Sequence, residues 1–442
     1  MKSKTRDTSE YGLHYVSGLL RLETERTISN ISRKTGQAMQ NMQHFISQSP
    51  WSARQLLDRI REAMLDRGEF GSGTMLLLDE SGNEKSGKSS VGSSRQYNGR
   101  QGKVDNCQVG VFLSVVKGRF SSWIDGEVFI PQRWFEDDYA QHRERAGIPV
   151  ERQFMSKPEL GLQMIRRAKA NGVPFEAVAC DTLYGRSGAF RDQLAADAIE
   201  YYADVPSNTR IYLAQPEVGI PQNKRGKKAR NERVLAPKSW RVAQLRHHPD
   251  TVWQTVELRA SERGILRSDF AVIPVWTVRD DLSVHQETLI IRRYEKKCSY
   301  TLTNAPQMTP LATLARRKSQ RFFIEHDNQN AKSEYGWDEF QTIGFVAWEH
   351  QLALTILAAW FIAEIKLDWA ADHERDPALL DEYDIDMLPA LSVANVREML
   401  RAAMPLPQLS TTQAAELVLE HLDNRTRSRK SRLKSHRNHL GP

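Results

Sequence analysis

The chain has 442 residues, of which 40% are hydrophobic and 26% charged, and its formal net charge is +7. This length allows two or three domains, and the basic balance favours an anionic partner, with nucleic acid as the first candidate. Cys107, Cys180 and Cys298 form no C-x-x-C pair, which argues against a zinc ribbon or disulfide scaffold and fits a reducing cytoplasm. The longest apolar stretch, 352–363, is shorter than the roughly 20 residues of a membrane span, so we expect a buried helix there and no membrane partner.

Residues 1–70 are predicted to be helical. Apolar residues recur at helical spacing from Leu19 to Met42, with Lys and Arg between them. Residues 51–65 repeat the pattern, with Ser52 as the expected N-cap. A basic helical region ahead of a catalytic core favours DNA binding, although a helical lid or a dimer surface would show the same pattern.

Residues 71–345 are predicted to be an α/β catalytic domain. A short buried strand is expected at 74–79, then a Gly/Ser-rich loop to about Gly102, and then a β-hairpin that turns near Lys117-Gly118. The elements expected next are a helix at 158–172, a strand at 175–180, a helix at 187–197 and a strand at 199–205. Three antiparallel strands followed by parallel strands with crossover helices fit a ribonuclease-H-like mixed sheet.

A β-rich insertion is predicted within this domain at about 215–305, and it follows the second of two aspartate-bearing strands. Residues 346–442 are predicted to be a C-terminal helical region, with a helix at 410–422. From about residue 424 the chain is strongly basic and has no apolar face, so we expect an unfolded tail that can contact phosphates.

Residues 82–89 match the phosphate-binding P-loop pattern Gly-x4-Gly-Lys-Ser. A P-loop needs a helix that begins at the Lys-Ser pair, here Lys88-Ser89, so that its N-terminus faces the phosphate. The Gly and Ser residues that follow are poor helix formers. The strand that ends at Asp181 could still serve as a second nucleotide-binding strand, so a P-loop ATPase remains an alternative.

Two aspartates follow apolar strands: Asp79 comes after Leu76-Leu77-Leu78, and Asp181 follows 175–180. If these strands are neighbours, their carboxyl ends meet, and two close carboxylates favour a hard cation such as Mg²⁺ between them. Paired metals of this kind carry out phosphodiester chemistry. A single aspartate at a strand end more often caps a turn.

Several separated blocks resemble the DDE transposases of bacterial insertion sequences. The blocks are residues 79–111, 178–194, 201–212 and 321–340, and the resemblance extends over about 70–365. In the second block the family pattern is a strand, Asp, two variable residues and Tyr-Gly, which matches Asp181 to Gly185. The third motif, Tyr-x2-Arg-x3-Glu-x6-Lys, supplies Arg321, Glu325 and Lys332, but Lys318 stands at the tyrosine position.

The resemblance implies a ribonuclease-H-like core in which Asp79, Asp181 and Glu325 are catalytic and bind two Mg²⁺ ions, with Mn²⁺ as a substitute. Glu80 is expected outside this site, because neighbouring residues of a strand face opposite sides. Glu334 is a rival to Glu325, but at nine residues' distance it lies on the opposite side of a helix.

Arg321 and Lys332 share a helix face with Glu325 and are expected to bind DNA phosphates. The other basic residues expected to contact DNA are Arg186, Lys88, Arg95, Lys103, Lys224, Arg225, Lys227 and Lys228.

The expected function is that of an insertion-sequence transposase, which binds transposon ends and performs metal-dependent strand cleavage and transfer on double-stranded DNA. By family analogy we expect a homodimer in the DNA complex and a cytoplasmic, nucleoid-associated protein. A catalytically inactive, transposase-derived DNA-binding regulator is the non-enzyme alternative.

Overall fold

The computed structural model describes residues 7–98, 102–118, 120–221, 231–261, 264–295, 297–373, 376–383, 391–406 and 410–439. The helices are α1 (Ser9–Arg21), α2 (Ile28–Thr35), α3 (Met39–Ser47), α4 (Ala53–Asp66), α5 (Ala140–Ala146), α6 (Lys157–Ala170), α7 (Thr182–Gly185), α8 (Gly188–Ala196), α9 (Val242–Leu245), α10 (Leu311–Gln320), α11 (Phe322–Ser333), α12 (Phe345–His373), α13 (Pro377–Tyr383), α14 (Val393–Ala403) and α15 (Thr411–His439). The strands are β1 (Met75–Glu84), β2 (Ser94–Asn98), β3 (Lys103–Lys117), β4 (Phe120–Phe129), β5 (Ala177–Cys180), β6 (Glu200–Val205), β7 (Arg210–Ile211), β8 (Glu217–Gly219), β9 (Arg233–Ala236), β10 (Trp240–Arg241), β11 (Gln254–Ser261), β12 (Gly264–Val278), β13 (Val284–Tyr294) and β14 (Lys297–Thr303).

One ten-stranded sheet organises the molecule. Its order is β11-β12-β13-β14-β6-β5-β1-β3-β2, and β4 also pairs with β3. Strands β1, β5 and β6 are parallel to one another, whereas β3 runs antiparallel to both β1 and β4. The path β4-β3-β1-β5-β6 is the ribonuclease-H-like arrangement, so the predicted fold class is confirmed.

The β-rich segment continues this sheet. The long strands β11 to β14 lie within the predicted β-rich insertion, and β14 pairs antiparallel with β6, with Tyr300 opposite Val205. Because this pairing is continuous, the segment widens the sheet on the β6 side. The limits proposed for the domains remain predictions.

The two faces of the central strands pack against different helices. Leu76 and Leu78 belong to the large core that contains α6 residues such as Leu160, whereas Leu77 belongs to a smaller core with Ile324 of α11. This alternation is what a strand requires. By the same alternation, the side chain of Asp79 projects from β1 on the α11 side, as that of Leu77 does.

The predicted helical region at the N-terminus is confirmed as α1 to α4. Ser52 caps α4 as expected, because its side chain accepts a hydrogen bond from the Gln55 amide. The mostly apolar α12 contacts β4 together with α1, α3 and α4, so the N-terminal helices share a core with the sheet. None of the helices in the described ranges is both long and apolar enough to cross a membrane.

Two local predictions were wrong, and the P-loop alternative is not supported. The stretch from 80 to 102 is not simply a loop, because β1 continues to Glu84 and β2 follows. Gly82 lies inside β1 opposite Val109, and no helix begins at Lys88-Ser89, so this segment does not form a P-loop. The basic C-terminal segment is helical to His439, because it continues the helix that starts at Thr411 and adds pairs such as Asp423 to Arg427 at 2.6 Å.

Candidate active site

Asp79 and Asp181 lie side by side at the centre of the sheet. The last parallel pair between β1 and β5 is Leu78 with Cys180, so the next residue of each strand is an aspartate. Asp181 also caps α7 and accepts a hydrogen bond of 2.9 Å from the Leu183 amide. The predicted convergence of the two aspartates is therefore present, although β1 continues past Asp79 to Glu84.

Glu80 joins these two acids, contrary to the expectation that it lies outside. Single carboxylate oxygens of Asp79, Glu80 and Asp181 all lie within 4.8 Å of one another. The side chain of Glu80 projects from β1 on the α6 side, where Lys157 Nζ is 3.3 Å from Glu80 Oε1. Because the pairing of β1 with β5 ends at Leu78 and Cys180, that side of β1 is open at Glu80, and the longer glutamate side chain reaches the aspartates around it.

Burial and mutual repulsion make this group electrostatically unfavourable without a cation. Burial, together with the charges of Asp181 and Glu80, raises the pKa of Asp79 to about 8. Burial and Glu80 raise the pKa of Asp181 to about 6. Carboxylates that repel one another in a partly buried site are the oxygen ligands that hard divalent cations prefer. Their chemistry fits a divalent metal site.

Glu325 lines the same cleft but does not belong to this group of acids. The cleft has a volume of about 670 Å³, and Asp79, Asp181, Glu325 and Lys332 all line it. Among the residues that the structure describes, the three acids within 4.8 Å of one another are Asp79, Glu80 and Asp181. The Glu325 carboxylate is half exposed and accepts a hydrogen bond of 2.6 Å from Arg321 Nη2.

Arg321 connects Glu325 to a buried ion pair below the cleft. It lies between α10 and α11, and its Nε is 3.1 Å from Asp204 Oδ2. Lys318, the departure from the family's tyrosine, is buried, with its Nζ 2.8 Å from Asp204 Oδ1. Although burial acts to raise it, the charges of Lys318 and Arg321 hold the pKa of Asp204 below its ordinary value.

Asn328 was missed by the sequence analysis. It lies one turn after Glu325 on α11, and its Nδ2 donates a hydrogen bond of 3.2 Å to Asp79 Oδ2. The helical spacing of three residues from Glu325 was visible in the sequence. Nothing in the sequence linked this asparagine to Asp79.

Two of the other predicted cations, Lys332 and Arg95, lie at the cleft. Lys332 lines the cleft, and its Nζ donates a hydrogen bond of 2.8 Å to the Gly82 carbonyl. Arg95 is exposed on β2, two residues before Tyr97, which also lines the cleft. Because residues two apart on a strand share a face, Arg95 lies on the cleft side of β2.

Three other predicted cations do not line the cleft. Lys88 is exposed after β1, Lys103 pairs with Asp105 at 3.0 Å, and Arg186 follows α7, where its Nε donates to the Thr182 carbonyl. The predicted cations that lie outside the described residues are Lys224, Arg225, Lys227 and Lys228.

The rival carboxylate Glu334 does not line the cleft. It caps the C-terminus of α11, and its Oε2 is 2.6 Å from Arg397 Nη1 of α14. This contact ties Glu334 to the C-terminal helices, as its position on the far side of the helix from Glu325 predicted.

Comparisons with known proteins agree with this geometry. A family model described as DDE superfamily endonuclease matches residues 2–265, a range that contains Asp79 and Asp181 and ends before Glu325. The chain is also 26% identical over 318 residues to a protein of Microchaete diplosiphon named probable transposase for insertion sequence element IS701, and the match covers 72% of each chain. With more than half of its length matched by the family model, the chain belongs to the DDE superfamily endonucleases.

Proposed function

We propose that this DDE endonuclease is the transposase of an insertion sequence, and that it cleaves and joins double-stranded DNA. The observation that carries the proposal is the pair Asp79 and Asp181, which follow the last paired residues of the parallel strands β1 and β5 and line a cleft of about 670 Å³. The similarity to a probable insertion-sequence transposase supports it. The net charge of +7 agrees with a polyanionic substrate.

In this proposal Asp79 and Asp181 hold two Mg²⁺ ions, for which Mn²⁺ can substitute, and Glu325 completes one of the two sites. Bound metal would activate the attacking water or 3′-hydroxyl and stabilise the leaving oxygen. Glu80 is within reach of the same ions, so its carboxylate is a further candidate ligand. Lys157 holds one Glu80 oxygen on the α6 side.

In this proposal Glu325 has to give up its ion pair with Arg321 in order to bind a metal ion. Its carboxylate is paired with Arg321, while Asp79 and Asp181 lie across the same cleft. Arg321 can keep its contact with Asp204 when Glu325 turns away, since separate nitrogens make the two contacts. The Nη2 nitrogen that Glu325 releases would then be able to bind a DNA phosphate.

DNA binding is assigned to the cations around the cleft and to the basic helical region at the N-terminus. Lys332 and Arg95 lie on the cleft side, and contacts of this kind position the duplex without reading its sequence. Because a transposase joins two ends in one complex, we propose a homodimer on DNA.

The proposal is tested with a duplex that carries the ends of the element encoding this chain. Asp79→Asn and Asp181→Asn should each abolish Mg²⁺-dependent cleavage while end binding remains near the wild-type level. The exposed Asp138, paired only loosely with Arg133 at 3.8 Å, provides the control: Asp138→Asn should cleave normally. Metal-dependent nicking that survives both active-site substitutions would refute the assignment. Sequence-specific binding without nicking by the wild type would identify a regulator that has lost its activity.

A further inference from the structure

A chain of two hydrogen bonds connects the β4 strand to the carboxylate of Asp79. Trp123 Nε1 donates to Asn328 Oδ1 at 3.1 Å, and Asn328 Nδ2 donates to Asp79 Oδ2 at 3.2 Å. Trp123 and Asn328 are both buried. The chain is continuous from the core of the protein to the cleft.

The chemistry of these groups fixes the direction of both bonds. An indole nitrogen can only donate, so the asparagine oxygen must face Trp123. The asparagine NH₂ is then turned toward Asp79, whose Oδ2 accepts its hydrogen bond. The reverse orientation of the amide would set oxygen against oxygen and nitrogen against N–H, so Trp123 determines which end of Asn328 meets Asp79.

Trp123 is itself held in place by aromatic packing. Its ring stacks on Phe112 with a centroid distance of 4.0 Å, and Trp337 meets it edge-on at 5.7 Å. Because the Trp123 N–H is held rigidly against Asn328 Oδ1, the Asn328 NH₂ is held in a fixed direction toward Asp79. Asn328 thus fixes Asp79 Oδ2, while the Glu80 amide donates to Oδ1, and the rotation of the carboxylate is restricted.

We propose that Asn328, oriented by Trp123, is a positioning residue for Asp79 and sets the affinity of the site for its divalent metal. This inference rests on the proposed function, since it assumes that Asp79 is a metal ligand. Asn328 Nδ2 donates to Oδ2 and the Glu80 amide donates to Oδ1 at 2.9 Å, so the two bonds together fix the direction in which the remaining lone pairs of Asp79 point. Hydrogen bonds to ligating carboxylates commonly change metal affinity or activity by about 10–100-fold.

The test is the binding of Mn²⁺ to the full-length protein without DNA, followed by the electron paramagnetic resonance signal of the free ion. Asn328→Leu keeps the size but removes the donor, and should weaken Mn²⁺ binding by about 10–100-fold. Trp123→Phe keeps an aromatic ring but removes the indole N–H. The Asn328 amide can then rotate, and Mn²⁺ binding should weaken about fivefold. If Asn328→Leu does not fold, Asn328→Ala provides the same measurement.

The two effects should not add, because both substitutions interrupt one chain. The double variant should bind Mn²⁺ about as weakly as Asn328→Leu alone. Trp134→Phe, which removes a buried indole donor to the Ser93 carbonyl, is the packing control and should bind like the wild type. Excess Mn²⁺ should restore cleavage in Asn328→Leu but not in Asp79→Asn.

The outcomes separate this inference from the proposed function. A folded Asn328→Leu with wild-type Mn²⁺ affinity would overturn the positioning role alone, provided that Asp79→Asn loses binding. Additive effects in the double variant would also overturn it, because they would indicate separate packing defects. A wild type that binds no Mn²⁺ would overturn both proposals.

Discussion

The Lys318 ammonium lies 2.8 Å from the Asp204 carboxylate, and both side chains are largely removed from solvent. Burial lowers the pKa of Lys318, and the charge of Asp204 opposes that shift. Lys318→Met should therefore leave Asp204 with one cation fewer and cost about 3 kcal/mol of unfolding free energy, in line with the loss of one partner from a buried pair. Urea unfolding measures this difference. Arg316→Ala, exposed on the same helix, should change it by less than about 0.5 kcal/mol, and equal values for the two variants would contradict the prediction.

Arg321→Lys should reduce cleavage far more than it reduces DNA binding. The guanidinium contacts Asp204 and Glu325 through two different nitrogens, whereas a single ammonium cannot reproduce that fork. We expect a loss of about 10–100-fold in the cleavage rate, comparable to the loss of other ligand-orienting contacts, with a change in end affinity of less than about threefold because the charge remains. Single-turnover cleavage and equilibrium binding on one duplex measure both quantities. An equal loss in the two assays would assign Arg321 to DNA binding alone.

Gly185→Ala should distort the carboxylate site through its backbone. A Cβ at this position would lie 1.9 Å from the Asp204 carbonyl oxygen, and α7, which Asp181 caps, would have to move away from β6. The expected cost is about 3 kcal/mol, at the upper end of the range for overpacked cores, with weaker Mn²⁺ binding as well. Gly87→Ala is the control, because a Cβ there meets nothing within 4 Å. Equal thermal unfolding temperatures for Gly185→Ala and Gly87→Ala would contradict the close packing of Gly185 against Asp204.

The sequence predicted the centre of the site because that part depends on local patterns. An apolar run followed by an acid identifies Asp79 and Asp181, and the parallel pairing of the two runs places these acids side by side. Glu80 was wrongly expected outside the site, because strand alternation describes where a Cβ points, not how far a side chain reaches past the end of a neighbouring strand. Asn328 required the position of Trp123, which is distant in sequence and close only in the fold.

Away from the site, the sequence predicted individual strands and helices better than it predicted which strands pair with one another. Strands β11 to β14 follow clear apolar patterns, yet their continuity with the main sheet depends on the pairing of β14 with β6, which no local pattern contains. Strand β2 was taken as loop because Gly and Ser flank it. It is nevertheless a strand, because its backbone pairs with the first residues of β3, and such tertiary pairing overrides local propensity.

Lys332→Ala should weaken DNA binding by a similar factor for every sequence. Lys332 lines the cleft near Asp79, and a lysine that contacts a phosphate contributes about one released counterion. The slope of log affinity against log salt should therefore fall by about 1. Lys169→Ala, at the opposite end of α6 from Lys157, should leave both affinity and slope unchanged. An unchanged slope in Lys332→Ala would exclude a phosphate contact by this residue.

Glu349→Gln should remove part of the dependence of stability on pH. Burial, reinforced by the charge of Glu127, raises the pKa of Glu349 from its ordinary value of 4.5 to about 7. The folded state therefore holds this proton more tightly than the unfolded state, so the wild type loses stability as the pH rises from about 4.5 to about 7. The loss attributable to Glu349 is up to about 3 kcal/mol.

Glutamine cannot ionise, so the unfolding free energy of Glu349→Gln should rise relative to the wild type across this range and remain constant above it. Urea unfolding at half-unit steps between pH 4.5 and 8 measures the difference. Glu62→Gln, exposed on α4, is the control and should follow the wild-type curve at a constant offset. If Glu349→Gln runs parallel to the wild type as well, Glu349 is ionised in the folded protein throughout the range. The three arginines whose charges favour its ionised form, Arg54, Arg152 and Arg167, would then outweigh its burial.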